Sequence, residues 1–321
     1  MGNVKSTPCG TDTSISAHQF AQIIERFVQG VNIDVQPNND ALIEEYIFKQ
    51  LLEEGVDEKN AMIHAVRGAL VSRQFYPFQP PELRRLTGLY TAYFFVLDDT
   101  NSVQGRSDML RFRQNLLENR PMPKPFQGCA ALFKELDEHY LEFIANRAVI
   151  GLINHMDSTA LEDGKMGKFS HLQKSSAFPH YFRWMTGNPE PFVYFAASKD
   201  VCAGYDKALN LFIQAAPDLC DFTNHTNDLF SFYKEAILSS EHDGYVYHRV
   251  QAEKISVVEC LNRLVDELHA RIHRIKATLV SDPEVSKIAM AYVRGYLGFH
   301  VTEPRYKISE LNIPSLKAKI R

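Results

Sequence analysis

The chain has 321 residues, a net charge of −4 and a hydrophobic fraction of 45%. This length accommodates one large domain or two small ones, and the apolar fraction supports a sizeable core. The charge balance argues against nucleic acid as a partner, and no apolar run reaches the roughly 18 residues of a membrane span. Because the N-terminus also lacks the apolar core of a secretory signal, we expect a cytoplasmic protein.

The first residues are polar and predict a disordered tail over residues 1–14. Residues 1–6 match the pattern M-G-x-x-x-[ST], in which Gly2 accepts a myristoyl chain. A single acyl chain binds membranes only marginally, so the pattern predicts at most a weak membrane association. The five cysteines form no CxxC pair, which favours a reducing compartment over disulfides or zinc.

Apolar residues at three- and four-residue spacing predict helices through most of the remaining chain. In chain order these helices cover residues 18–28, 41–54, 60–73, 82–98, 109–117, 126–160 as one or two helices, 179–186, 191–216, 219–239, 256–279 and 283–300. Prolines mark loops between them, and strand alternation is almost absent. The sequence therefore predicts one all-α domain over residues 15–321.

Two adjacent carboxylates, Asp98 and Asp99, follow the apolar run at residues 89–97. That run is apolar nearly all round, which is typical of a buried helix. The C-terminal end of a helix already carries partial negative charge, so two carboxylates there are unfavourable unless a cation neutralises them. Taken alone, the pair fits either a cation site or a solvated turn before Gly105.

A second polar segment contains Asn227, Ser231 and Glu235 at positions i, i+4 and i+8. On a helix these side chains share one face. An amide oxygen, a hydroxyl and a carboxylate form an all-oxygen set, which suits magnesium better than zinc. Spacing alone fits an ordinary amphipathic helix with a solvated face equally well.

The residue types in these two segments resemble the sequence motifs of a known protein family. Residues 227–235 resemble the motif (N/D)D-x-x-(S/T)-x-x-x-E of class I terpene cyclases, and Asp98-Asp99 resembles the start of their motif DD-x-x-(D/E). Arg305-Tyr306 resembles the Arg-Tyr pair near the end of many microbial cyclases. The three motifs occur in family order across residues 80–310, and their wording is similar to that of trichodiene synthase and its fungal relatives. The resemblance implies an antiparallel helical bundle of the isoprenoid synthase type with a central apolar cavity.

The resemblance also implies three Mg²⁺ ions at the mouth of that cavity and a prenyl diphosphate as the substrate. The residues it places at the metals are Asp98, Asp99, Asn227, Ser231 and Glu235. Those it places at the diphosphate are Arg183, Lys234, Arg305 and Tyr306. The catalytic candidates are Asp98, Arg183, Arg305 and Tyr306. Gly187 lies four residues after Arg183, where the family breaks a helix and aims a carbonyl at the substrate.

Two positions depart from the family pattern. Ser102 replaces the last acidic residue of the first motif, and Thr186 stands where bacterial relatives have Asp. In the family the first aspartate does most of the coordination. We therefore expect Asp98 to be the principal ligand and Asp99 to contribute less.

The implied reaction ionises farnesyl diphosphate, releases diphosphate and closes the carbocation to a cyclic C15 hydrocarbon or alcohol. Aromatic faces stabilise such a cation, and the chain has 21 Phe and 14 Tyr residues. The candidates for the cavity wall are Tyr93, Phe94, Phe95, Trp184 and Gly187. Relatives often dimerise, so a homodimer is a further expectation.

The sequence leaves two alternatives open. A prenyl-chain-elongating synthase would share the bundle and the magnesium, but it uses two complete aspartate-rich motifs. A non-catalytic isoprenoid-binding or interaction protein is supported only by the truncated first motif. The histidines at 242, 248, 269 and 273 lack an acidic partner at zincin spacing, so we interpret them as surface or packing residues.

Overall fold

The computed structural model describes residues 14–36, 40–100, 102–162, 175–202, 206–242 and 244–319. Regular structure within these ranges is entirely helical, which confirms the predicted all-α class. The helices are α1 Ala17–Gln29, α2 Ala41–Glu53, α3 Glu58–Phe75, α4 Pro81–Asp98, α5 Val103–Leu117, α6 Phe126–His139, α7 Glu142–Glu162, α8 Phe178–Gly187, α9 Pro189–Tyr194, α10 Lys199–Cys202, α11 Asp206–Phe232, α12 Tyr245–Glu253, α13 Val257–Thr278, α14 Pro283–Thr302 and α15 Pro314–Lys319.

Several helices begin at residues whose side chains cap the first turn. The Ser16 hydroxyl accepts a hydrogen bond from the Gln19 backbone N–H, while the Gln19 side chain accepts one from the Ser16 backbone N–H. Asp57 and Ser256 cap α3 and α13 by accepting from backbone N–H groups. Each cap satisfies a backbone donor that has no partner inside its own helix, so these starts are encoded locally.

The α3 and α4 helices run antiparallel and approach closely. A Cβ atom added at Gly68 would lie 2.4 Å from the carbonyl oxygen of Gly88, so α3 accommodates no side chain at this crossing. Farther along the pair, His64 of α3 lies beside Asp99 at the end of α4. This packing fixes the C-terminal end of α4, where the first acidic pair lies.

The predicted boundary near residue 217 is wrong. We predicted one helix ending at 216 and another beginning at 219, but α11 runs from Asp206 to Phe232 through Pro217. The carbonyl that loses its donor to this proline belongs to Ile213, which lies on the exposed side of the helix. A π-helical turn, Tyr233–Leu238, then extends α11.

The prediction also missed α12, because we assigned no helix between residues 239 and 256. Residues 245–250 are all buried, including the polar His248 and Arg249, so this part of the helix has no exposed polar face. The buried apolar side chains of the described helices form a core that α12 joins through Tyr247 and Val250. None of the described helices is both long and apolar enough to cross a membrane.

The predicted tail and the Gly2 acylation pattern lie outside the described residues, apart from Ser14. The single-domain division, the cytoplasmic location and the homodimer stay predictions. Four cysteines of the described ranges, at 129, 202, 220 and 260, are buried free thiols.

Candidate active site

A cavity of about 190 Å³ opens between α3, α4, α8, α9, α11 and α14. Its wall is aromatic, and its mouth carries polar and charged groups. The aromatic rings are Phe75, Phe94, Phe95, Phe192, Tyr296 and Phe299. The polar lining includes Asp98, Arg183, Asn227, Ser231, Lys234, Glu235, His300, Arg305 and Tyr306. One cavity therefore unites residues that are far apart along the chain.

The two aspartates of the first motif have different surroundings. Asp98 is the last residue of α4 and lines the cavity. Asp99 is turned toward α3, where its Oδ2 lies 3.4 Å from Nε2 of His64, and 61% of its side chain is exposed. Ser102 serves as the N-cap of α5, because its hydroxyl accepts a hydrogen bond of 2.9 Å from the Gly105 backbone N–H.

The second motif lies at the junction of α11 and the π-helical turn. Asn227 and Ser231 are on α11, and Lys234 and Glu235 are on the turn. The Ser231 hydroxyl donates to Oε2 of Glu235 at 2.9 Å, and Lys234 Nζ donates to Oε1 at 2.5 Å. The predicted oxygen donors of this motif thus converge on the same cavity.

Arg183, on α8, contacts the second motif directly. Its Nε atom donates to Oδ1 of Asp228 at 2.6 Å, and its Nη2 atom donates to Oδ1 of Asn227 at 3.1 Å. Burial raises the pKa of the Asp228 carboxyl to about 6, although the guanidinium beside it acts in the opposite direction. Asp228 carried no specific role in the sequence prediction, and the structure makes it the partner of Arg183.

The Arg305-Tyr306 pair lies in a short 3₁₀ turn, Pro304–Tyr306, at the cavity mouth. The Tyr306 hydroxyl accepts a hydrogen bond of 3.0 Å from Nδ2 of Asn227. Burial raises the pKa of Tyr306 to about 12, so the phenol keeps its proton at neutral pH. The Arg305 guanidinium stands over the Phe95 ring, 5.8 Å from its centroid.

His300, on α14, is a site residue that the sequence analysis missed. Its Nδ1 atom lies 2.9 Å from the Tyr296 carbonyl, and its Nε2 atom lies 3.3 Å from Nδ2 of Asn227. This network is consistent with an Nδ1–H tautomer whose Nε2 accepts from Asn227. Burial lowers the pKa of His300 to about 3, so the ring is neutral. No motif pointed to it, because it meets Asn227 only through the packing of α14 on α11.

Gly187 ends α8, as predicted, and the following Asn188 adopts the left-handed conformation at φ 45°. Gly187 lines the cavity and is closely surrounded by neighbouring side chains. A Cβ atom at this position would lie 2.0 Å from Oδ1 of Asn224 and 2.6 Å from Nη1 of Arg183. The absence of a side chain at 187 is therefore what lets α8 approach α11 here.

Two predicted wall residues point elsewhere. The Tyr93 hydroxyl is directed at α6, where a Cβ atom on Gly128 would lie 2.0 Å from it. Trp184 is outside the cavity lining, and its ring lies 6.2 Å from that of His180. Successive helical residues point about 100° apart, so neighbours of Phe94 and Arg183 need not share their direction. The structure therefore retains only Phe94, Phe95 and Gly187 from the predicted wall.

The fold is that of terpene synthases. Linalool/nerolidol synthase from Streptomyces clavuligerus superposes with a TM-score of 0.65 at 14% identity, covering 84% of this chain and 98% of that one. Cucumene synthase superposes with a TM-score of 0.57 at 12% identity, covering 84% and 100% of the two chains. At these identities the similarity establishes the helical bundle and nothing further.

The family follows from sequence similarity. A profile of the family described as trichodiene synthase (TRI5) matches residues 60–315, so the chain belongs to this terpene synthase family. An (E)-beta farnesene synthase from Metarhizium brunneum is 27% identical over 319 residues, covering 96% of this chain and 95% of the relative. A longiborneol synthase from Gibberella zeae is 24% identical over 317 residues, covering 95% and 91%. Terpene synthases are lyases that act on prenyl diphosphates, so the predicted enzyme class is confirmed.

Proposed function

We propose that this protein is a magnesium-dependent sesquiterpene cyclase that ionises farnesyl diphosphate and cyclises the resulting carbocation. One observation carries the proposal. One cavity is lined by Asp98 from α4, by Asn227, Ser231 and Glu235 from α11 and its π-helical turn, and by several aromatic rings. This lining would offer oxygen ligands for metal ions and aromatic faces for a cation.

The donor set at the mouth fits Mg²⁺. Carboxylate, amide and hydroxyl oxygens are ligands of hard divalent cations, and the nitrogen and sulfur donors that select zinc are not among the predicted ligands. Asp98, Asn227, Ser231 and Glu235 would hold the ions, and Asp99 would contribute less because it faces His64 and solvent. Bound Mg²⁺ would supply Lewis-acid stabilisation of the departing diphosphate. The expected number of ions, three, comes from the family resemblance.

The cationic and phenolic groups at the mouth would bind the diphosphate. Arg183, Lys234, Arg305 and Tyr306 all line the cavity. Their N–H and O–H groups are fixed donors that can meet negative charge as it develops on the leaving group. Tyr306 is protonated at neutral pH, as an ordinary phenol is, and burial raises its pKa further, to about 12.

The wall would protect and stabilise the carbocation. Aromatic faces attract positive charge most strongly where water is excluded. Phe94 and Phe95 of α4 and Tyr296 and Phe299 of α14 all line the cavity. No dedicated general base is required, because the released diphosphate can take the final proton. The name of the Metarhizium brunneum relative, (E)-beta farnesene synthase, supports a farnesyl chain as the substrate.

The test is an incubation of the purified full-length protein with farnesyl diphosphate and Mg²⁺, with EDTA as the control. The organic extract is analysed by gas chromatography and mass spectrometry. The expected result is a metal-dependent cyclic C15 hydrocarbon or alcohol. Exclusively linear alcohols would contradict cyclisation. Absence of turnover with geranyl, farnesyl and geranylgeranyl diphosphate would overturn the enzyme proposal in favour of isoprenoid binding.

The chain-elongating alternative needs its own measurement. Isopentenyl diphosphate is added together with farnesyl diphosphate, and the extract is treated with phosphatase before analysis. The proposed cyclase gives the same products with and without the second substrate. A longer prenyl alcohol that appears only with isopentenyl diphosphate would identify an elongating synthase instead.

A further inference from the structure

A second cluster of possible metal ligands lies outside the cavity, between α8 and α11. His180 on α8 faces Asp221 and His225, which are one turn apart on α11. Their potential ligand atoms all lie within 4.8 Å of one another, and His180 Nε2 is 3.6 Å from Oδ1 of Asp221. None of the three residues lines the cavity described above.

Three buried polar atoms of this cluster have no hydrogen-bond partner among the described residues. His225 is only 1% exposed, yet neither of its ring nitrogens has a hydrogen-bond partner among the described residues. Oδ1 of Asp221 is also buried without one. Buried polar atoms are normally paired, since removing them from water without a partner costs free energy. A bound cation would satisfy the nitrogen of His225 and the oxygen of Asp221 together.

The neighbouring residues hold these side chains in place. Arg271 on α13 donates to Oδ2 of Asp221 at 2.7 Å, which leaves Oδ1 facing the histidines. The Tyr245 ring stacks on His225 with centroids 4.9 Å apart and planes 15° apart. Outer contacts of this kind orient metal ligands, although the charge of Arg271 also reduces the attraction for a cation.

We propose that His180, Asp221 and His225 bind a transition-metal ion of the zinc class. Two imidazoles and one carboxylate are a frequent ligand set for zinc, and imidazole nitrogen selects such ions over magnesium. Half of the His180 side chain is exposed, so a water molecule can complete the coordination from the solvent side. The site differs in chemistry from the all-oxygen set at the cavity mouth.

The proposed metal site lies between α8 and α11, so a bound ion would link these two helices. His180 precedes Arg183 by one helical turn, and Asp221 and His225 precede Asp228 on α11. A metal ion at the cluster therefore joins the same two helices that the Arg183–Asp228 ion pair joins. Metal binding would hold α8 against α11 next to the proposed diphosphate contact.

The chain contains its own reporter for this site. Trp184 is the single tryptophan, and its ring lies 6.2 Å from that of His180. Co²⁺ quenches indole fluorescence at short range and gives a visible absorption band in a tetrahedral site. The full-length protein is titrated with Co²⁺ in an excess of Mg²⁺, which occupies the oxygen ligands, and Zn²⁺ is then added as a competitor.

The test variant is H180Q, which changes a half-exposed side chain, and the matched control is H273Q, which changes a histidine exposed on α13. We expect saturable quenching with one Co²⁺ per chain in the wild type and in H273Q, reversed by Zn²⁺. In H180Q we expect the affinity to fall by more than about tenfold. Equal quenching in H180Q and the wild type, or no saturable quenching in any form, would overturn the proposal.

Discussion

The Nε atom of Arg183 lies 2.6 Å from Oδ1 of Asp228, so the predicted diphosphate contact is paired with a carboxylate of the second motif. The same guanidinium donates to Oδ1 of Asn227, an oxygen that we assign to magnesium. A diphosphate that accepts from Arg183 would compete with both contacts. Substrate binding and release of the Asn227 oxygen are therefore linked through one side chain.

This linkage predicts a large effect of R183K. Lysine keeps the charge but lacks the planar fork that reaches Asp228 and Asn227 together. We expect kcat/KM to fall by about 100-fold, which is typical for loss of a donor to a developing anion. The control is R274K, since Arg274 pairs with Asp218 and neither residue lines the cavity. Steady-state kinetics with farnesyl diphosphate, the proposed substrate, test the prediction, and equal losses in the two variants would contradict it.

The first motif predicts an asymmetry between its two aspartates. Asp98 lines the cavity, whereas Asp99 faces His64 and solvent. We expect D98N to lose more than about 100-fold in kcat, because a ligand that stabilises the leaving group is removed. We expect D99N to lose less than about tenfold, since it alters a partly exposed contact. The kcat of both variants is measured as a function of Mg²⁺ concentration. A larger loss of kcat in D99N than in D98N would make Asp99, and not Asp98, the principal metal ligand.

The fold was predictable where a helix has one polar and one apolar face. The α1 and α13 helices show this pattern, and Ser16 and Ser256 mark their starts. The α12 helix escaped prediction because its residues 245–250 are buried on every side. The prediction ended a helix before Pro217 because proline is rare inside helices. Here α11 continues through it, since the carbonyl that loses its hydrogen bond belongs to Ile213 on the exposed side of the helix.

The candidate site was predictable only where a motif names its residues. Asp98 and Glu235 were recognised from local sequence, and both line the cavity. His300 could not be found this way, because it reaches Asn227 through tertiary packing. The direction of the Tyr93 side chain could not be predicted from its neighbour Phe94, because successive side chains on a helix point about 100° apart.

The aromatic wall predicts a change in product composition for F94L. Phe94 lines the cavity, so a smaller, non-aromatic side chain alters its contour and removes a ring face from the cation. We expect new products or early-quenched alcohols, measured by gas chromatography and mass spectrometry. Y93F is the neighbouring control, because Tyr93 is directed at Gly128 of α6. Altered product ratios in Y93F with none in F94L would contradict the wall assignment.

Buried histidines predict that acid destabilises the protein. Burial lowers the pKa of His64, His155, His225 and His300, so these four side chains bind fewer protons in the folded chain than in the unfolded chain below about pH 6.5. The free energy of unfolding should therefore fall as the pH drops from about 7 to about 5.5. Asp228, with its raised pKa of about 6, opposes this trend because the folded state gains its proton first.

The contribution of one histidine can be isolated with H300N in EDTA. The His300 imidazole stays neutral in the folded chain but takes up a proton in the unfolded chain. Its removal should therefore reduce the loss of unfolding free energy between about pH 7 and about pH 5.5 by about 1 kcal/mol. Urea unfolding at several pH values measures the slope, and H273N, an exposed substitution on α13, is the control. The comparison rests on the slopes, so an overall loss of stability in H300N does not affect it. If the unfolding free energy of H300N fell with pH as steeply as that of the wild type, His300 would not contribute to the acid destabilisation.

The close approach at Gly187 predicts that G187A impairs catalysis without preventing folding. The added methyl group would lie 2.0 Å from Oδ1 of Asn224 and 2.6 Å from Nη1 of Arg183, so both side chains must move. We expect kcat/KM to fall by about tenfold to 100-fold, because displacement of a positioning group misaligns the reacting atoms. Overpacking of this kind typically costs about 1–3 kcal/mol of stability. The matched control is G244A, where an added Cβ atom meets nothing within 4 Å. Thermal unfolding and kinetics of both variants test the prediction, and wild-type turnover in G187A would show that catalysis tolerates displacement of Arg183 and Asn224.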